Sequence, residues 1–313
     1  MYPQVKEAAK NTLDKVDIIL ISFQDFLPIR PEINLHPSMT LGRKFTDKSY
    51  LVDILKEVGN KNPQVSVALE DKATMNFTGG TTGLPKGVYH KHEDIVYTGA
   101  GIYTYYNTHI LVEDYSDTEI NFKEFLSSLS KSEVNLAVMP IFWVAGNNVG
   151  VVWPSISGST VVLFTRWDAD SVLEAIAKYR VTNMYVPFDM YWELLHNPRI
   201  KEYDLRSLKC CMGSSFIKGL SKELRSKWRD LTGTILREAA YGLTETHTCD
   251  TFVAGFHKED FDIEMAEKYK ATFCGLPIPG TYVKIVDEKG NIVLWRAWGN
   301  PYQISCCGRW VYK

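Results

Sequence analysis

A loop rich in glycine and threonine is the part of this 313-residue sequence best suited to chemistry. It spans residues 78–87 and reads Thr-Gly-Gly-Thr-Thr-Gly-Leu-Pro-Lys-Gly. Glycine lets backbone N–H groups approach an anion closely, threonine hydroxyls add donors, and the lysine adds a positive charge. The loop therefore predicts a clamp over the β- and γ-phosphates of ATP. The residues of this clamp would be Thr78, Gly79, Gly80, Thr81, Thr82, Gly83 and Lys86.

Two other interpretations of this loop have different consequences. A generic glycine-rich stretch is more often a hairpin turn or a flexible surface loop than a ligand site. The P-loop of nucleotide hydrolases instead requires Ser or Thr directly after its lysine to hold Mg²⁺. Lys86 is followed by Gly87, so the sequence excludes the P-loop but not the surface turn.

A second group of chemically suited residues lies far downstream, at 241–245. Tyr241 offers a flat face to a purine, and Gly242 allows a close approach. Thr244 can donate to a phosphate, and Glu245 can bind Mg²⁺ through oxygen. Taken alone, this segment could equally be the end of a strand with a capping threonine.

Both segments resemble signature motifs of the adenylate-forming enzymes, the superfamily of acyl-CoA synthetases, luciferases and the adenylation domains of peptide synthetases. The glycine-rich loop resembles their phosphate loop, with glycine at a position where serine is usual. Residues 213–215 resemble their adenine-lining turn, and residues 275–280 resemble a G-x-P-x-P-G segment that enters a small β-barrel. Because these motifs occur in the order that the superfamily shows, the chain resembles an ATP-dependent acid–CoA ligase.

The resemblance implies a role for each of these residues. Tyr241 would stack on adenine, Thr244 would contact the α-phosphate, and Glu245 would hold Mg²⁺. Lys86 would join Thr244 and Glu245 as a catalytic residue by neutralising charge on the phosphates. The remaining nucleotide contacts would be Gly213, Ser214, Ser215 and Gly242.

A third segment, at 139–146, resembles the superfamily stretch P-L-F-H-x-x-G that lines the acid pocket. Its pocket residues would be Phe142, Trp143 and Gly146. Trp143 stands where histidine is usual, and an indole cannot act as a base, so the role of that histidine does not transfer. Trp143 would either shorten the pocket toward small acids or gate a longer tunnel, and a plain core aromatic is the alternative.

The elements that must position these motifs alternate between strand and helix. Short β-branched runs predict strands, and amphipathic segments with acidic starts and basic ends predict helices. The predicted strands are 18–23, 65–69, 136–139, 160–164, 183–186 and 208–212. The predicted helices are 2–17, 48–58, 170–179, 190–195 and 221–230. This alternation predicts an α/β fold of parallel sheets layered with helices.

The resemblance divides the chain into three units. Residues 1–165 would be a partial first α/β subdomain with the phosphate loop, and 166–280 a second α/β subdomain with the adenine site. Residues 281–313 would begin a small β-barrel subdomain, without the usual C-terminal domain and its lysine. We expect the first subdomain to be incomplete as well.

The last residues suggest a change of reading frame. The superfamily continues with a segment G-E-x-G-E-I, which is absent here. Shifting the frame by one base turns Trp295, Trp298 and Trp310 into glycines and allows that segment. We therefore interpret the tail as a frameshift product, and a divergent C-terminus is the alternative.

Composition limits the classes of function. The apolar content of 45% suits a globular enzyme, and a formal net charge of −2 gives no general attraction to nucleic acid. The six cysteines lack the spacing of a zinc site. Four of them form two adjacent pairs and the sequence shows no signal peptide, which indicates reduced thiols in the cytoplasm. Residues 134–165 carry no charge, but proline, glycine and asparagine interrupt them. They favour a buried strand–helix–strand unit over a membrane span.

The implied activity has two steps. A carboxylic acid, expected to be a fatty or other aliphatic acid, attacks Mg-ATP to give acyl-AMP, and CoA then displaces AMP. We expect this chain to bind nucleotide weakly and to ligate CoA little, because the lysine of the C-terminal domain is missing. The alternatives are a non-catalytic nucleotide-binding fragment, a subunit completed by a second chain, and an amino-acid-activating domain. A homodimer is one option for the assembly.

Overall fold

The structure, a computed structural model, describes most of the chain. The described residues are 2–8, 10, 17–27, 32–45, 49–58, 62, 64–79, 83–114, 133–253, 259–278, 281–284, 286–287, 289 and 291. Of the expected site residues, Gly80, Thr81 and Thr82 lie outside this set, and so does the tail with its three tryptophans.

A five-stranded parallel sheet lies at the centre of the described chain. Its strands are β3 (Val134–Ala137), β4 (Thr160–Leu163), β5 (Asn183–Pro187), β6 (Cys210–Ser214) and β7 (Leu236–Glu238), and their order is β4-β3-β5-β6-β7. Every neighbouring pair is parallel. The sheet confirms the predicted α/β class and four of the predicted strands to within about two residues.

Helices connect these strands, as parallel pairing requires. They are α6 (Ala169–Tyr179), α7 (Phe188–His196) and α8 (Lys222–Thr232). Asp168 caps α6 and Ser221 caps α8, each side chain accepting a hydrogen bond from a backbone N–H three residues on. Left-handed residues, Arg180 and Gly233, end the same two helices. These local signals explain why the predicted helices 170–179 and 221–230 are confirmed.

The uncharged stretch 134–165 forms the expected strand–helix–strand unit between β3 and β4. It contains α4 (Val144–Asn147), a π-helical turn (Asn148–Val152) and α5 (Trp153–Ser157). Trp153 is 1% exposed, so α5 is anchored in the core. No helix among the described residues is both long and apolar enough to cross a membrane.

A two-stranded hairpin carries the glycine-rich loop. Strands β1 (Lys72–Phe77) and β2 (Gly87–Lys91) pair antiparallel, and α3 (His92–Asp114) follows directly. The other described helices are α1 (Tyr2–Ala8), α2 (Leu51–Val58) and α9 (Phe261–Tyr269). A short antiparallel pair joins β8 (Thr251–Phe252) to β9 (Leu276–Pro277).

Two strand expectations for the first part of the chain were wrong. Residues 18–23 form a single parallel bridge, Leu20 to Tyr50, instead of a strand. Residues 65–69 are exposed and form no strand, because the strand in this region begins later, at Lys72. The predicted helix 2–17 is present as α1 over residues 2–8, Lys10 forms a turn, and residues 9 and 11–16 lie outside the described set. A strand requires a neighbouring strand, and local apolar pattern does not supply one.

Candidate active site

The largest cavity described here lies where the C-terminal ends of β6 and β7 meet the segment that follows β7. Ligands of open α/β sheets bind at this edge. The cavity measures about 450 Å³. Its lining residues are Trp143, Val144, Ala145, Tyr185, Ser214, Ser215, Phe216, Glu238, Ala240, Tyr241, Gly242, Leu243, Thr244, Thr248, Thr272 and Cys274.

This cavity brings together expected site residues that are far apart in sequence. The expected residues that line it are Trp143, Ser214, Ser215, Tyr241, Gly242 and Thr244. Gly213 lies one residue inside β6, where a Cβ would be 2.5 Å from the ring of Phe188. That glycine therefore lets β6 pack against Phe188 and does not line the cavity. The nucleotide roles of all these residues stay predictions.

The segment after β7 folds into a compact loop. Backbone N–H groups of Asp250 and Thr251 both donate to the carbonyl of Tyr241, which closes the loop on itself. His247, Thr248 and Cys249 all have positive φ, at 60°, 65° and 64°. The turn brings residue 249 back over Gly242, where an added Cβ would lie 2.3 Å from the Cys249 nitrogen. Glycine is thus required at 242 by the fold of the loop.

Glu245 faces a neighbouring cavity of about 240 Å³. Asp94 and Asp250 line the same space, and Thr248 lines both this cavity and the larger one. Carboxylate oxygens are suitable ligands for Mg²⁺, which usually takes one or two carboxylates together with phosphate oxygens. Among the described residues, no three His, Cys, Asp or Glu side chains form a metal-binding group by themselves. The residues therefore fit a Mg²⁺ ion that arrives with a nucleotide.

The glycine-rich loop closes at its neck through two hydrogen bonds. Thr78 N–H donates to the carbonyl of Lys86 at 2.9 Å, and Lys86 N–H donates to Thr78 Oγ1 at 3.1 Å. The described part of the loop is exposed, including Gly79, Gly83 and Leu84. Lys86 lines neither cavity in this arrangement.

The hairpin that bears this loop packs against the loop after β7. The rings of His90 on β2 and His247 meet edge to face, with centroids 4.7 Å apart. Tyr89 and His90 also line the cavity that Glu245 faces. The strands that support the glycine-rich loop and the segment that carries Glu245 therefore border one cleft, and a shared nucleotide site there stays a prediction.

Glu238 is a cavity residue that the sequence did not reveal. It ends β7, and Ser215 donates to its carboxylate through N–H at 3.2 Å and through Oγ at 2.6 Å. Burial raises the pKa of Glu238 to about 7, although the Ser215 hydrogen bonds oppose the shift. A glutamate three residues before Tyr241 has no local pattern to mark it, because only the sheet brings it beside Ser215.

The three residues expected in the acid pocket lie in different environments. Trp143 lines the large cavity, and its ring stacks on Phe216 with centroids 5.4 Å apart. Phe142 is 84% exposed and lines none of the cavities described here. Gly146 is buried, and a Cβ there would lie 2.2 Å from the Pro140 carbonyl oxygen. Trp143 is thus the one of the three that meets the cavity.

A small cavity of about 50 Å³ continues from the large one. Four residues line both spaces, namely Ala145, Tyr185, Ala240 and Thr248. The other lining residues of the small cavity are Ile102, Asn148, Val149, Ala239, Cys249 and Phe252. Except for Ala145, none of the residues that line the small cavity lies in a segment that the sequence analysis assigned to the site. The others come from α3, the π-helical turn, β5, the loop after β7 and β8.

Known proteins resemble this chain along most of its length. A family model described as AMP-binding enzyme matches residues 4–298. The 4-coumarate-CoA ligase 1 of Narcissus pseudonarcissus is 27% identical over 252 residues, which cover 80% of this chain and 41% of that protein. The long-chain-fatty-acid–CoA ligase of Bacillus subtilis (strain 168) is 28% identical over 295 residues, which cover 91% of this chain and 46% of the ligase. The chain thus spans less than half the length of these two curated relatives.

A solved structure shows the same fold. The anthranilate CoA ligase AuaEII, in complex with anthranoyl-AMP, superposes with a TM-score of 0.67 and 20% sequence identity. The match covers 94% of this chain and 47% of that structure. At this sequence identity, the similarity establishes a common fold only. The ligand of this chain has to be inferred from its own side chains.

Proposed function

Because the chain belongs to the AMP-binding enzyme family, we propose that it provides the ATP- and acid-binding site of an acid–CoA ligase. One observation carries this proposal. Tyr241 and Thr244 line a large cavity beside Ser214 and Ser215, and that cavity continues into a small apolar one. A nucleotide and the acid that it activates need such adjoining spaces, one polar and one apolar.

The large cavity offers complementary surfaces to a nucleotide. The Tyr241 ring supplies a stacking face, and a purine that stacks on an aromatic side chain gains about 1–3 kcal/mol. Ser214 ends β6 and Ser215 follows it, and both line the same cavity, where they would border the base. Thr244 begins a 3₁₀ turn, so its hydroxyl and the first N–H groups of the turn can donate to phosphate oxygens.

The cleft beneath the hairpin suits the phosphates and their metal ion. Glu245 would hold Mg²⁺ there, and the ion would supply neutralisation of phosphate charge when bound. Lys86, at the neck of the exposed loop, would add a second positive charge once the loop closes over the phosphates. Preorganised charges of this kind lower the barrier for attack at the α-phosphate.

The small cavity would receive the tail of the acid. Most of its lining is apolar, and Thr248 and Ala240 lie where it joins the nucleotide space. A carboxylate at this junction would be close to the nucleotide while its tail is buried. One relative is named for 4-coumarate and another for long-chain fatty acids. Because the named acids differ, the class of acid has to be inferred from the residues that line the small cavity.

Direct binding measurements test this function. We expect the chain to bind a non-hydrolysable acyl-AMP mimic, such as an acyl-sulfamoyl-adenosine, in isothermal titration calorimetry. Tyr241→Ala removes the stacking face and should weaken binding about tenfold or more. Tyr282→Ala is the matched control, because Tyr282 is 79% exposed and lines neither cavity. Absence of binding, or equal affinity in both variants, would show that the cavity is not a nucleotide site.

An activity assay with the same protein distinguishes a working ligase from a non-catalytic nucleotide-binding fragment. With ATP, Mg²⁺, CoA and candidate acids, release of pyrophosphate reports the first step and formation of the thioester reports the second. Binding of the mimic without either product would favour the nucleotide-binding fragment. The expectation that CoA ligation is weak is tested by the second readout.

A further inference from the structure

The small cavity contains one polar group that stands out from its apolar lining. Asn148 is 1% exposed, and its side chain lines this cavity beside Ile102, Val149 and Phe252. Burying an amide costs free energy unless both of its ends are hydrogen-bonded. Both the Nδ2 and the Oδ1 end of Asn148 therefore need a hydrogen-bond partner.

The Nδ2 end of Asn148 has a partner. It donates to the backbone carbonyl of His247 at 2.9 Å. That carbonyl belongs to the first of three consecutive residues with positive φ, so the bond helps to hold the turn that forms the wall of the cavity. The bond also establishes which end is which, because a reversed amide would place its oxygen against another oxygen.

The Oδ1 end has no donor among the described residues. Oδ1 is itself buried, and it does not face His247, because the two ends of an amide diverge from one carbon. The small cavity is the open space that Asn148 borders, so a donor for Oδ1 would have to come from a ligand bound there. Two hydroxyls also line this cavity. Tyr185 Oη is hydrogen-bonded to Ser214 Oγ at 2.7 Å, so it already has a partner, and Thr248 lies at the junction with the nucleotide space.

We propose that Asn148 is a specificity-determining residue that selects a short acid carrying a hydroxyl group on its tail. The inference rests on the function proposed above. A neutral donor fits better than an ammonium group, because no carboxylate lines this cavity in the described part of the chain. A volume of about 50 Å³ holds about three to five non-hydrogen atoms, which limits the tail to a short chain.

Matched pairs of acyl-AMP mimics test the inference with the native chain. Each pair replaces a terminal methyl group by a hydroxyl at constant length. The acyl groups are butanoyl against 3-hydroxypropanoyl, pentanoyl against 4-hydroxybutanoyl, and hexanoyl against 5-hydroxypentanoyl. At one length, we expect the hydroxyl analogue to bind at least about tenfold more tightly, since only it satisfies Oδ1. Equal or tighter binding of the methyl analogue at every length would overturn the proposal.

Substitution at two neighbouring asparagines assigns the effect to a residue. Asn148→Leu keeps the volume and removes the acceptor, so we expect the preference to disappear or to turn toward the methyl analogue. Asn147→Leu is the control, because Asn147 is half-buried and lines none of the cavities, and it should keep the native preference. If Asn148→Leu does not fold, the ligand pairs with the native chain still decide the question.

The outcomes also separate this inference from the proposed function. If sulfamoyl-adenosine without an acyl group and all of the mimics fail to bind, both proposals are overturned. If all of them bind and no pair differs, the nucleotide site stands and the role of Asn148 is overturned.

Discussion

Two buried ionisable residues near the site respond to pH in opposite directions. Burial raises the pKa of Glu238 to about 7. Burial and the neighbouring His90 lower the pKa of His247 to about 4. By proton linkage, the contribution of Glu238 to stability is complete below its unfolded value of 4.5 and is lost as pH rises through 7. The contribution of His247 is complete above 6.5 and is lost as pH falls toward 4.

The pH-dependent contributions of Glu238 and His247 to stability nearly cancel. Removing the titration of one residue should therefore reveal the contribution of the other. Glu238→Gln keeps a neutral hydrogen-bonding group beside Ser215 and removes the titration. We expect the free energy of unfolding of this variant, relative to the native chain, to rise by about 2 kcal/mol from pH 5 to pH 8. Urea denaturation at several pH values measures it. Glu267→Gln, on the exposed face of α9, is the control. If the free energy of unfolding of Glu238→Gln changed with pH just as that of the native chain does, the expectation would be contradicted.

Gly242 gives a second test at the scale of one residue. In Gly242→Ala the added Cβ would meet backbone atoms of Thr248 and Cys249 at 2.3–2.7 Å, so the loop itself must shift. We expect a loss of about 1–3 kcal/mol of stability and weaker binding of the acyl-AMP mimic. Thermal denaturation and calorimetry measure the two effects.

The matched control for this variant is Gly101→Ala in α3. The added Cβ there meets only a side-chain atom of Ile278 at 3.8 Å, which is ordinary contact. Alanine is also preferred over glycine inside a helix, so this variant should be neutral or slightly more stable. Unchanged stability and binding in Gly242→Ala would show that the loop adapts.

At the scale of elements, the β1–β2 hairpin connects the glycine-rich loop to the rest of the candidate site. Its strands pair in register from Met75–Tyr89 to Phe77–Gly87, and His90 rests on His247 at the far end. The described residues at its tip are mostly exposed, whereas His90 near its base is buried against His247. We therefore expect any movement over a ligand to be confined to the tip.

Lys86 should therefore distinguish nucleotides by their phosphates. In Lys86→Ala, we expect the affinity for Mg-ATP to fall about two- to fivefold and the affinity for AMP to change little, because an exposed charge contributes at most about 1 kcal/mol. Calorimetry at low and high salt measures this, and the difference should shrink at high salt. Lys201→Ala, at another exposed lysine, is the control. An equal loss for ATP and AMP would place Lys86 outside the phosphate clamp.

At the scale of the whole molecule, the central sheet and its helices hold the site. Their buried side chains form one continuous cluster that includes Leu136, Met184, Tyr191 and Trp228. Residues 17–69 contrast with this region, because large apolar side chains there are often exposed, as Val65 is at 71%. Most of the packing that positions the cavities therefore comes from residues 133–253, and Ile102, Thr272 and Cys274 add to their lining.

Several whole-molecule expectations stay predictions. The boundaries at residues 165 and 280, the frameshifted tail, the homodimer and the cytoplasmic location all depend on features beyond the described side chains. The use of CoA and the aliphatic nature of the acid depend on assays of the kind given above. The family and the α/β class do not depend on them, since the family model and the parallel sheet support each separately.

The sequence by itself determined the features that depend on neighbouring residues. Helices α6 and α8 follow from their own caps and amphipathic faces. The composition of the glycine-rich loop and of the segment after β7 is what predicts their nucleotide-binding roles. Such signals survive without knowledge of the fold, because the interacting groups lie within a few residues of each other. The family resemblance rested on the same local motifs.

Only the tertiary structure decided which side chains face one another. Glu238 meets Ser215 because β6 and β7 are adjacent, and Asn148 meets His247 across 99 positions of sequence. The choice of Lys72–Phe77 over residues 65–69 as a strand likewise depended on β2 as a partner. Strand pairing and burial are non-local, so only the tertiary structure identifies the residues that shape the small cavity.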